Sequence, residues 1–131
     1  MLQSPYNRSM TILVVDDSRI MRNIIKNSLA GNKRFADVEY LEAADGIAAL
    51  QFLEQQEINL LLLDWNMPRL NGLELVKKLR AEPRYDRLPI IMITSEAAKY
   101  NVIEAIKAGA NDYLIKPVSE RNLLEKIERV L

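Results

Sequence analysis

Cysteine and histidine are both absent from this chain of 131 residues. The absence of cysteine excludes disulfide bonds and thiolate metal sites, and it fits a reducing compartment. The absence of histidine excludes a nucleophile of the Ser-His or Cys-His type within the chain. Any chemistry that passes through a histidine therefore requires a second molecule.

An excess of charge and long apolar runs are missing as well. Eighteen basic residues balance eighteen acidic residues, so the chain has no electrostatic reason to bind nucleic acid or an anionic membrane. No apolar run approaches the roughly 20 residues that a membrane-spanning helix needs, and residues 1–9 do not resemble a signal peptide. We expect a monomeric, cytoplasmic protein that contacts neither nucleic acid nor membrane directly.

The length and the residue pattern indicate one domain. A chain of 131 residues can bury roughly two thirds of its unfolded surface around one core. Residues 1–10 read as a polar segment that includes Pro5, and we interpret them as a flexible N-terminal lead. Residues 11–131 then form the folded domain, without internal repeats or low-complexity tracts.

Short runs of branched aliphatic residues alternate with segments of helix length. Such runs are typical of the buried strands of a parallel sheet. The strong runs are 12–15, 60–63, 90–93 and 113–115, and a weaker alternating run at 38–43 is typical of an edge strand. We therefore predict an α/β fold with five parallel strands and five helices.

Capping residues and apolar periodicity indicate the helices. Ser18 is a candidate N-cap of the first helix, and Asn71 with Glu74 predicts a capping box at the third. The fourth helix is predicted over 96–108. The first helix carries an apolar stripe that we expect to face the core, consisting of Ile20, Met21, Ile24, Ile25 and Leu29.

Polar residues follow the predicted strands. Asp16 and Asp17 follow the first strand, Asp64 the third, Thr94 ends the fourth, and Lys116 follows the fifth. The carboxyl ends of parallel strands lie along one edge of the sheet, where open α/β sheets bind ligands. Right-handed crossovers permit several strand orders, and an order with strand one between strands two and three puts the three carboxylates together. Three carboxylates beside a lone lysine suit a hard cation and a phosphoryl group.

Four motifs occur in sequence at these strand ends. They are Val-Val-Asp-Asp-Ser at 14–18, Leu-Asp-Trp-Asn-Met-Pro at 63–68, Ile-Thr-Ser-Glu-Ala at 93–97 and Tyr-Leu-Ile-Lys-Pro at 113–117. Together they resemble the receiver domain of bacterial two-component response regulators, over residues 11–131. The segment 64–75 is particularly similar to regulators of the chemotaxis type. The resemblance implies a flavodoxin-like, doubly wound sheet with strand order 2-1-3-4-5.

The resemblance also implies roles for the polar residues. Asp64 matches the aspartate that accepts a phosphoryl group from a phosphohistidine of a kinase. Asp16 and Asp17, together with Asp64 and the backbone carbonyl of Asn66, match the ligands of Mg²⁺. Lys116 matches the ammonium group that pairs with the phosphoryl group.

Further residues match the parts that respond to phosphorylation. Thr94 matches the hydroxyl that bonds the phosphoryl group, and Tyr113 the aromatic residue that moves inward as that hydroxyl moves. The bond between Lys116 and Pro117 matches the cis peptide that is usual in the family. Asn66 follows the acceptor by two residues and Glu96 follows Thr94 by two, so we expect both to border the path of an attacking water and to tune dephosphorylation.

The implied function is a phosphorylation-dependent signalling switch of a two-component system, of the chemotaxis type. It is not an enzyme, although it promotes its own Mg²⁺-dependent phosphorylation and dephosphorylation. Its partners are a histidine kinase, which supplies the phosphoryl group in trans, and a downstream protein such as a flagellar motor switch protein. We expect the downstream protein to meet the face made by helix four, strand five and helix five.

Other functions stay open on the residues alone. The chain can be a phosphorelay intermediate or the receiver part of a larger regulator. A Mg²⁺-dependent phosphatase with Asp64 as nucleophile is a further alternative, although Asp64-Trp65-Asn66 lacks the second acid of the Asp-x-Asp motif of dehalogenase-type enzymes. A flavodoxin is disfavoured, because the chain has only four glycines and no Ser/Thr/Gly-rich phosphate loop after the first strand.

Overall fold

A computed structural model describes residues 10–131 of the chain. Of the expected lead over residues 1–10, residues 1–9 lie outside the described residues, and Met10 is buried. Five parallel strands form one sheet in the order β2-β1-β3-β4-β5, which confirms the predicted topology. The strands are β1 (Thr11–Val15), β2 (Glu39–Ala43), β3 (Leu60–Leu63), β4 (Ile90–Thr94) and β5 (Asp112–Ile115).

The burial of each strand follows from its position in the sheet. Strands β1, β3 and β4 are buried along their whole length, because helices cover both faces of the central sheet. Strand β2 lies at an edge, as predicted, but its burial does not alternate: it rises from exposed Glu39 through three partly buried residues to buried Ala43. The strand begins at Glu39, one residue later than predicted, and the Glu39 N–H donates to the carbonyl of buried Met10 at 3.0 Å.

Five helices connect or follow the strands: α1 (Arg19–Ala30), α2 (Gly46–Gln55), α3 (Gly72–Arg80), α4 (Lys99–Ala108) and α5 (Glu120–Val130). Two short 3₁₀ turns lie at Lys33–Phe35 and Pro83–Tyr85. The side chain of Ser18 caps α1, and Asn71 and Glu74 form the predicted capping box of α3. In the described part of the chain, no helix has the length and apolar character needed to cross a membrane.

The predicted start of the fourth helix is wrong. Helix α4 begins at Lys99, so Glu96, Ala97 and Ala98 precede it. The physical reason lies in the backbone of Glu96. Its N–H donates to Thr94 Oγ1 and its carbonyl accepts from the Tyr113 hydroxyl, so both groups are engaged outside a helix.

Two apolar cores lie on opposite faces of the sheet. Residues of α2, α3 and α4 pack on one face, and residues of α1 and α5 pack on the other. Ile25 and Leu29 of α1 are buried as predicted, but Ile20 and Ile24 are 73% and 43% exposed. Five apolar residues spread over more of the helix circumference than its buried face can take. Part of the predicted stripe is therefore wrong.

Candidate functional site

The carboxyl ends of β1, β3, β4 and β5 bring the predicted polar residues together. Backbone pairing places the strand ends side by side, since the Asp64 N–H donates to the Val15 carbonyl at 2.9 Å and the Lys116 N–H to the Thr94 carbonyl at 2.9 Å. The Lys116 Nζ donates to Asp16 Oδ2 at 2.8 Å and to Asp64 Oδ2 at 3.2 Å. The ammonium group therefore lies between two carboxylates that are 48 positions apart in the sequence.

Burial determines the electrostatics of this cluster. Asp16 and Asp64 are 1% and 6% exposed, whereas Asp17 is exposed. Burial raises the pKa of the Asp16 carboxyl above its ordinary value, against the opposing effect of the hydrogen bond from Lys116. Burial alone would lower the pKa of the Lys116 ammonium, but the hydrogen bond from Lys116 to Asp16 and the charges of both aspartates raise that pKa overall. Lys116 thus stays charged and compensates two buried acids.

The three aspartates have the arrangement of a site for a hard cation. Asp16, Asp17 and Asp64 each offer a carboxylate oxygen, and these oxygens lie within 4.8 Å of one another. Oxygen ligands of this kind are those that Mg²⁺ prefers, and the exposed position of Asp17 leaves room for retained waters. Asn66 lines the same open cleft as Asp17, which is compatible with a backbone ligand from this loop.

The loop that follows Asp64 is fixed against two helices. The Gly72 N–H, at the start of α3, donates to the Trp65 carbonyl at 2.8 Å, and a Cβ on Gly72 would lie 2.1 Å from the Asp64 carbonyl oxygen. Arg69, with a φ of 69°, donates through Nε to Asp45 Oδ2 at 3.1 Å, and Asp45 also caps α2. The sequence predicted the Asn71 cap but gave no signal for the pair between Arg69 and Asp45, which are 24 residues apart.

Thr94 and Tyr113 both contact the backbone of Glu96. Thr94 is fully buried, and its Oγ1 accepts from the Glu96 N–H at 3.3 Å. The Tyr113 hydroxyl donates to the Glu96 carbonyl at 2.5 Å. The Tyr113 ring is buried, and burial raises the pKa of its phenol to about 12. In this structure the predicted switch tyrosine occupies an inward position. The predicted cis peptide between Lys116 and Pro117 is also present.

The two residues predicted to tune dephosphorylation contact each other. The Asn66 Nδ2 donates to Glu96 Oε1 at 2.6 Å, which joins the loop after β3 to the loop after β4. The second oxygen, Glu96 Oε2, accepts from Asn101 Nδ2 at 3.3 Å. Sequence reasoning missed Asn101, because an asparagine inside a helix usually has an unremarkable solvent-facing role and no spacing rule connects it to Glu96.

This sheet order and this cluster define a response regulator receiver domain. The family model for that domain matches residues 12–128, and the chain belongs to this family. The chain is 51% identical over 123 residues to a chemotaxis protein CheY homolog of Campylobacter jejuni, covering 93% of this chain and 92% of the relative. It is 50% identical over 123 residues to chemotaxis protein CheY1 of Helicobacter pylori, covering 93% of this chain and 97% of that protein.

A solved structure has the same fold. The chemotaxis response regulator CheY4 of Vibrio cholerae superposes with a TM-score of 0.84 at 33% sequence identity, and the match covers 95% of this chain and all of that chain, 100%. The similarity therefore extends over the whole receiver fold. It supports a phosphorylation-dependent signalling switch of the chemotaxis type.

Proposed function

We propose that Asp64 is the residue through which this receiver domain is phosphorylated, with a histidine kinase as donor. The observation that carries the proposal is the position of the Lys116 ammonium, which contacts the two buried carboxylates of the trio, Asp64 and Asp16. A point charge held there can pair with a phosphoryl oxygen that has been transferred to Asp64. A purely structural lysine would not require a third carboxylate, Asp17, at the exposed side.

The proposed transfer forms one bond and breaks one bond. An oxygen of the Asp64 carboxylate attacks phosphorus, while the bond between phosphorus and the nitrogen of the donor histidine breaks. The electron pair of that bond stays on the donor nitrogen. Such transfers depend mainly on alignment and charge neutralisation. Lys116 supplies positive charge on one side, and the Thr94 hydroxyl can donate to a phosphoryl oxygen once that oxygen is present.

Mg²⁺ is the cofactor that we propose for this chemistry. Asp16, Asp17, Asp64 and the backbone carbonyl of Asn66 would hold it, and a bound Mg²⁺ supplies charge neutralisation for phosphoryl oxygens. The chain is therefore a phosphoryl acceptor that assists its own phosphorylation and dephosphorylation, and it is not a turnover enzyme acting on an external substrate. Asn66 and Glu96 are the residues that we propose to tune the loss of the phosphoryl group.

The downstream partner in this proposal is a protein of the chemotaxis machinery, such as a flagellar motor switch protein, met by the monomeric receiver in the cytoplasm. The support is that the relatives of about 50% identity are chemotaxis proteins. The α4-β5-α5 face carries large apolar residues that no other described part of the chain covers. They are Tyr100, Ile103, Ile106 and Ile115. Exposed apolar residues grouped on one face are typical of a protein-binding surface.

Incubation with acetyl phosphate tests the acceptor. We expect intact-mass measurement to show one added phosphoryl group on the wild-type chain with Mg²⁺, and none after chelation. Asp64→Asn keeps the size of the side chain but removes the nucleophilic carboxylate, so it should remain unlabelled. Labelling of Asp64→Asn to the extent of the wild type would contradict the assignment.

A further inference from the structure

The carboxylate of Glu96 connects two asparagines that belong to different elements. Glu96 Oε1 accepts from Asn66 of the acceptor loop at 2.6 Å, and Glu96 Oε2 accepts from Asn101 of α4 at 3.3 Å. We refer to the set Asn66, Glu96 and Asn101 as the Glu96 bridge. Glu96 is half-buried and Asn66 is exposed, so these two side chains alone would exchange readily with water.

Asn101 is the buried member of the Glu96 bridge. It is 7% exposed, and its backbone N–H is already used in a bond to the Ala98 carbonyl at 2.9 Å. A buried side-chain amide is costly unless it forms hydrogen bonds. Its bond to a carboxylate is charge-assisted, and it restrains the rotamers of a long side chain that would otherwise move freely.

We propose that Asn101 is a positioning residue that holds Glu96 against Asn66 beside the acceptor and thereby slows the loss of the phosphoryl group from Asp64. This inference rests on the proposed function. Hydrolysis requires a water to align with phosphorus opposite the Asp64 oxygen, and misalignment by about 1 Å reduces such reactions strongly. Asn66 lies two residues after Asp64, so a Glu96 side chain held against Asn66 occupies space on the approach of that water.

The position of Asn101 also connects the lifetime of the phosphoryl group to the partner surface. Asn101 lies between exposed Tyr100 and Ile103 on α4, which belongs to the proposed output face. A protein that binds this face and displaces the first turn of α4 would release Glu96. Asn101 thus provides a route by which an output partner alters dephosphorylation without contacting the acceptor.

Dephosphorylation kinetics of Asn101→Ala test the proposal. The wild type and the variant are phosphorylated with acetyl phosphate and Mg²⁺, the donor is removed, and the loss of the phosphoryl group is followed by intact mass. Loss of one hydrogen bond to a carboxylate should raise the rate constant by about threefold to tenfold. Asn101→Asp, which replaces the donor with a repelling oxygen, should raise the rate constant further. Asn23→Ala, an exposed asparagine of α1, is the matched control and should leave it unchanged.

A double-mutant cycle separates positioning from a general structural effect. In a Glu96→Ala background, Asn101→Ala should no longer change the rate constant, because Asn101 acts through Glu96. An unchanged rate constant in Asn101→Ala, or the same acceleration with and without Glu96, overturns the proposal. If Asn101→Ala disrupts the fold, Asn101→Ser takes its place in the same cycle, because serine retains a short hydrogen-bond donor.

A readout without phosphorylation distinguishes this proposal from the proposed function. In the unphosphorylated protein, the side-chain amide resonance of Asn66 should shift in Asn101→Ala and in Glu96→Ala, but not in Asn23→Ala. An Asn66 resonance that ignores Asn101→Ala overturns the Glu96 bridge. Failure of the proposed function gives a different result, since the wild type would then not be phosphorylated at all.

Discussion

The Lys116 side chain determines how much of the negative charge of the site is compensated. Its ammonium lies 2.8 Å from Asp16 and 3.2 Å from Asp64, and both carboxylates are buried. The neighbouring aspartates repel one another, but the pKa of the Asp16 carboxyl is raised chiefly by burial, while Lys116 opposes the rise. Lys116 therefore compensates the negative charge of Asp16 and Asp64, whereas it does not pair with the exposed carboxylate of Asp17.

Replacement of Lys116 by methionine should destabilise the metal-free protein by about 3 kcal/mol, because it leaves two buried carboxylates unpaired. Chemical denaturation in the presence of a chelator measures the change. Mg²⁺ should stabilise Lys116→Met more than the wild type, because the variant site carries one more uncompensated negative charge. The proposed Mg²⁺ binding would stabilise each protein by mass action, by about 1.4 kcal/mol at tenfold excess over that protein's own dissociation constant. The larger effect on the variant at equal Mg²⁺ would therefore come from a lower dissociation constant.

Lys26→Met is the matched control for this experiment. Lys26 pairs with Glu42 at 2.7 Å, but both side chains are partly exposed, at 27% and 31%. Such pairs are typically worth less than about 1 kcal/mol. Equal losses of stability in Lys26→Met and Lys116→Met would contradict the claim that burial makes the Lys116 pairs stronger. Equal stabilisation of the wild type and Lys116→Met by Mg²⁺ would contradict the position of Lys116 beside the proposed metal site.

At the scale of elements, local chemistry predicted most of the fold. Continuous aliphatic runs identified the buried strands, and the predicted caps Ser18 and Asn71 begin their helices. The errors lie where tertiary contacts override local pattern. Helix α4 starts late for two reasons. The Thr94 hydroxyl accepts from the Glu96 N–H in a local turn, and the Tyr113 hydroxyl, 17 residues away, donates to the Glu96 carbonyl, a contact that no local pattern encodes.

Gly72 joins an element boundary to the site. It is the first residue of α3, and an added Cβ would lie 2.1 Å from the carbonyl oxygen of Asp64 and 2.9 Å from the Cα of Trp65. Since the opposing atoms are backbone, they cannot move aside as a flexible side chain would. Gly72→Ala should therefore destabilise the protein by about 1–3 kcal/mol and lower the rate of phosphorylation by acetyl phosphate, because the acceptor itself is displaced.

Gly31→Ala supplies the comparison for Gly72→Ala. Gly31 follows α1 with a φ of −72°, and a Cβ there would meet the Asn27 carbonyl at 3.4 Å, an ordinary contact. We expect a stability change within about 1 kcal/mol, with a gain from the reduced entropy of the unfolded chain. Thermal denaturation and labelling rates of both variants provide the measurement. A Gly72→Ala variant with the stability and labelling rate of the wild type would contradict the role of Gly72 in positioning Asp64.

At the scale of the whole molecule, the candidate site was largely predictable and its connections were not. The site residues follow strands, and parallel strands deliver their ends to one edge, so Asp16 and Asp64 converge once β1 lies beside β3. Lys116 follows β5, beyond β4, and reaches both carboxylates through its long side chain. The strand order itself came from the resemblance, since the crossover rule leaves several orders. The Glu96 bridge depends on the depth and rotation of α4, which side-chain packing alone determines.

The contacts of Glu96 provide a route by which phosphorylation at the proposed acceptor, Asp64, would reach α4. Thr94 Oγ1 holds the Glu96 N–H and the Tyr113 hydroxyl holds the Glu96 carbonyl. A phosphoryl group that draws the Thr94 hydroxyl toward Asp64 must therefore alter the segment that leads into α4. The segment that leads into α4 then has two arrangements, one with the present contacts and one with the Thr94 hydroxyl drawn toward Asp64. The phosphoryl group shifts the equilibrium between them only by its differential affinity for the two, and a partner bound to α4 shifts the same equilibrium by linkage.

The Thr94→Ala variant should still be phosphorylated to much of the wild-type extent, but amide exchange in α4 should no longer change on phosphorylation. Amide hydrogen exchange with beryllofluoride and Mg²⁺, a phosphoryl mimic, measures the difference. In the wild type we expect protection of Lys99–Ala108 to change by about tenfold, equivalent to about 1.4 kcal/mol. Thr11→Ala is the control, because Thr11 is also buried but lies at the opposite end of β1 and donates to Glu39. A full response of α4 in Thr94→Ala, or its loss in Thr11→Ala, would contradict a route through Thr94 and Glu96.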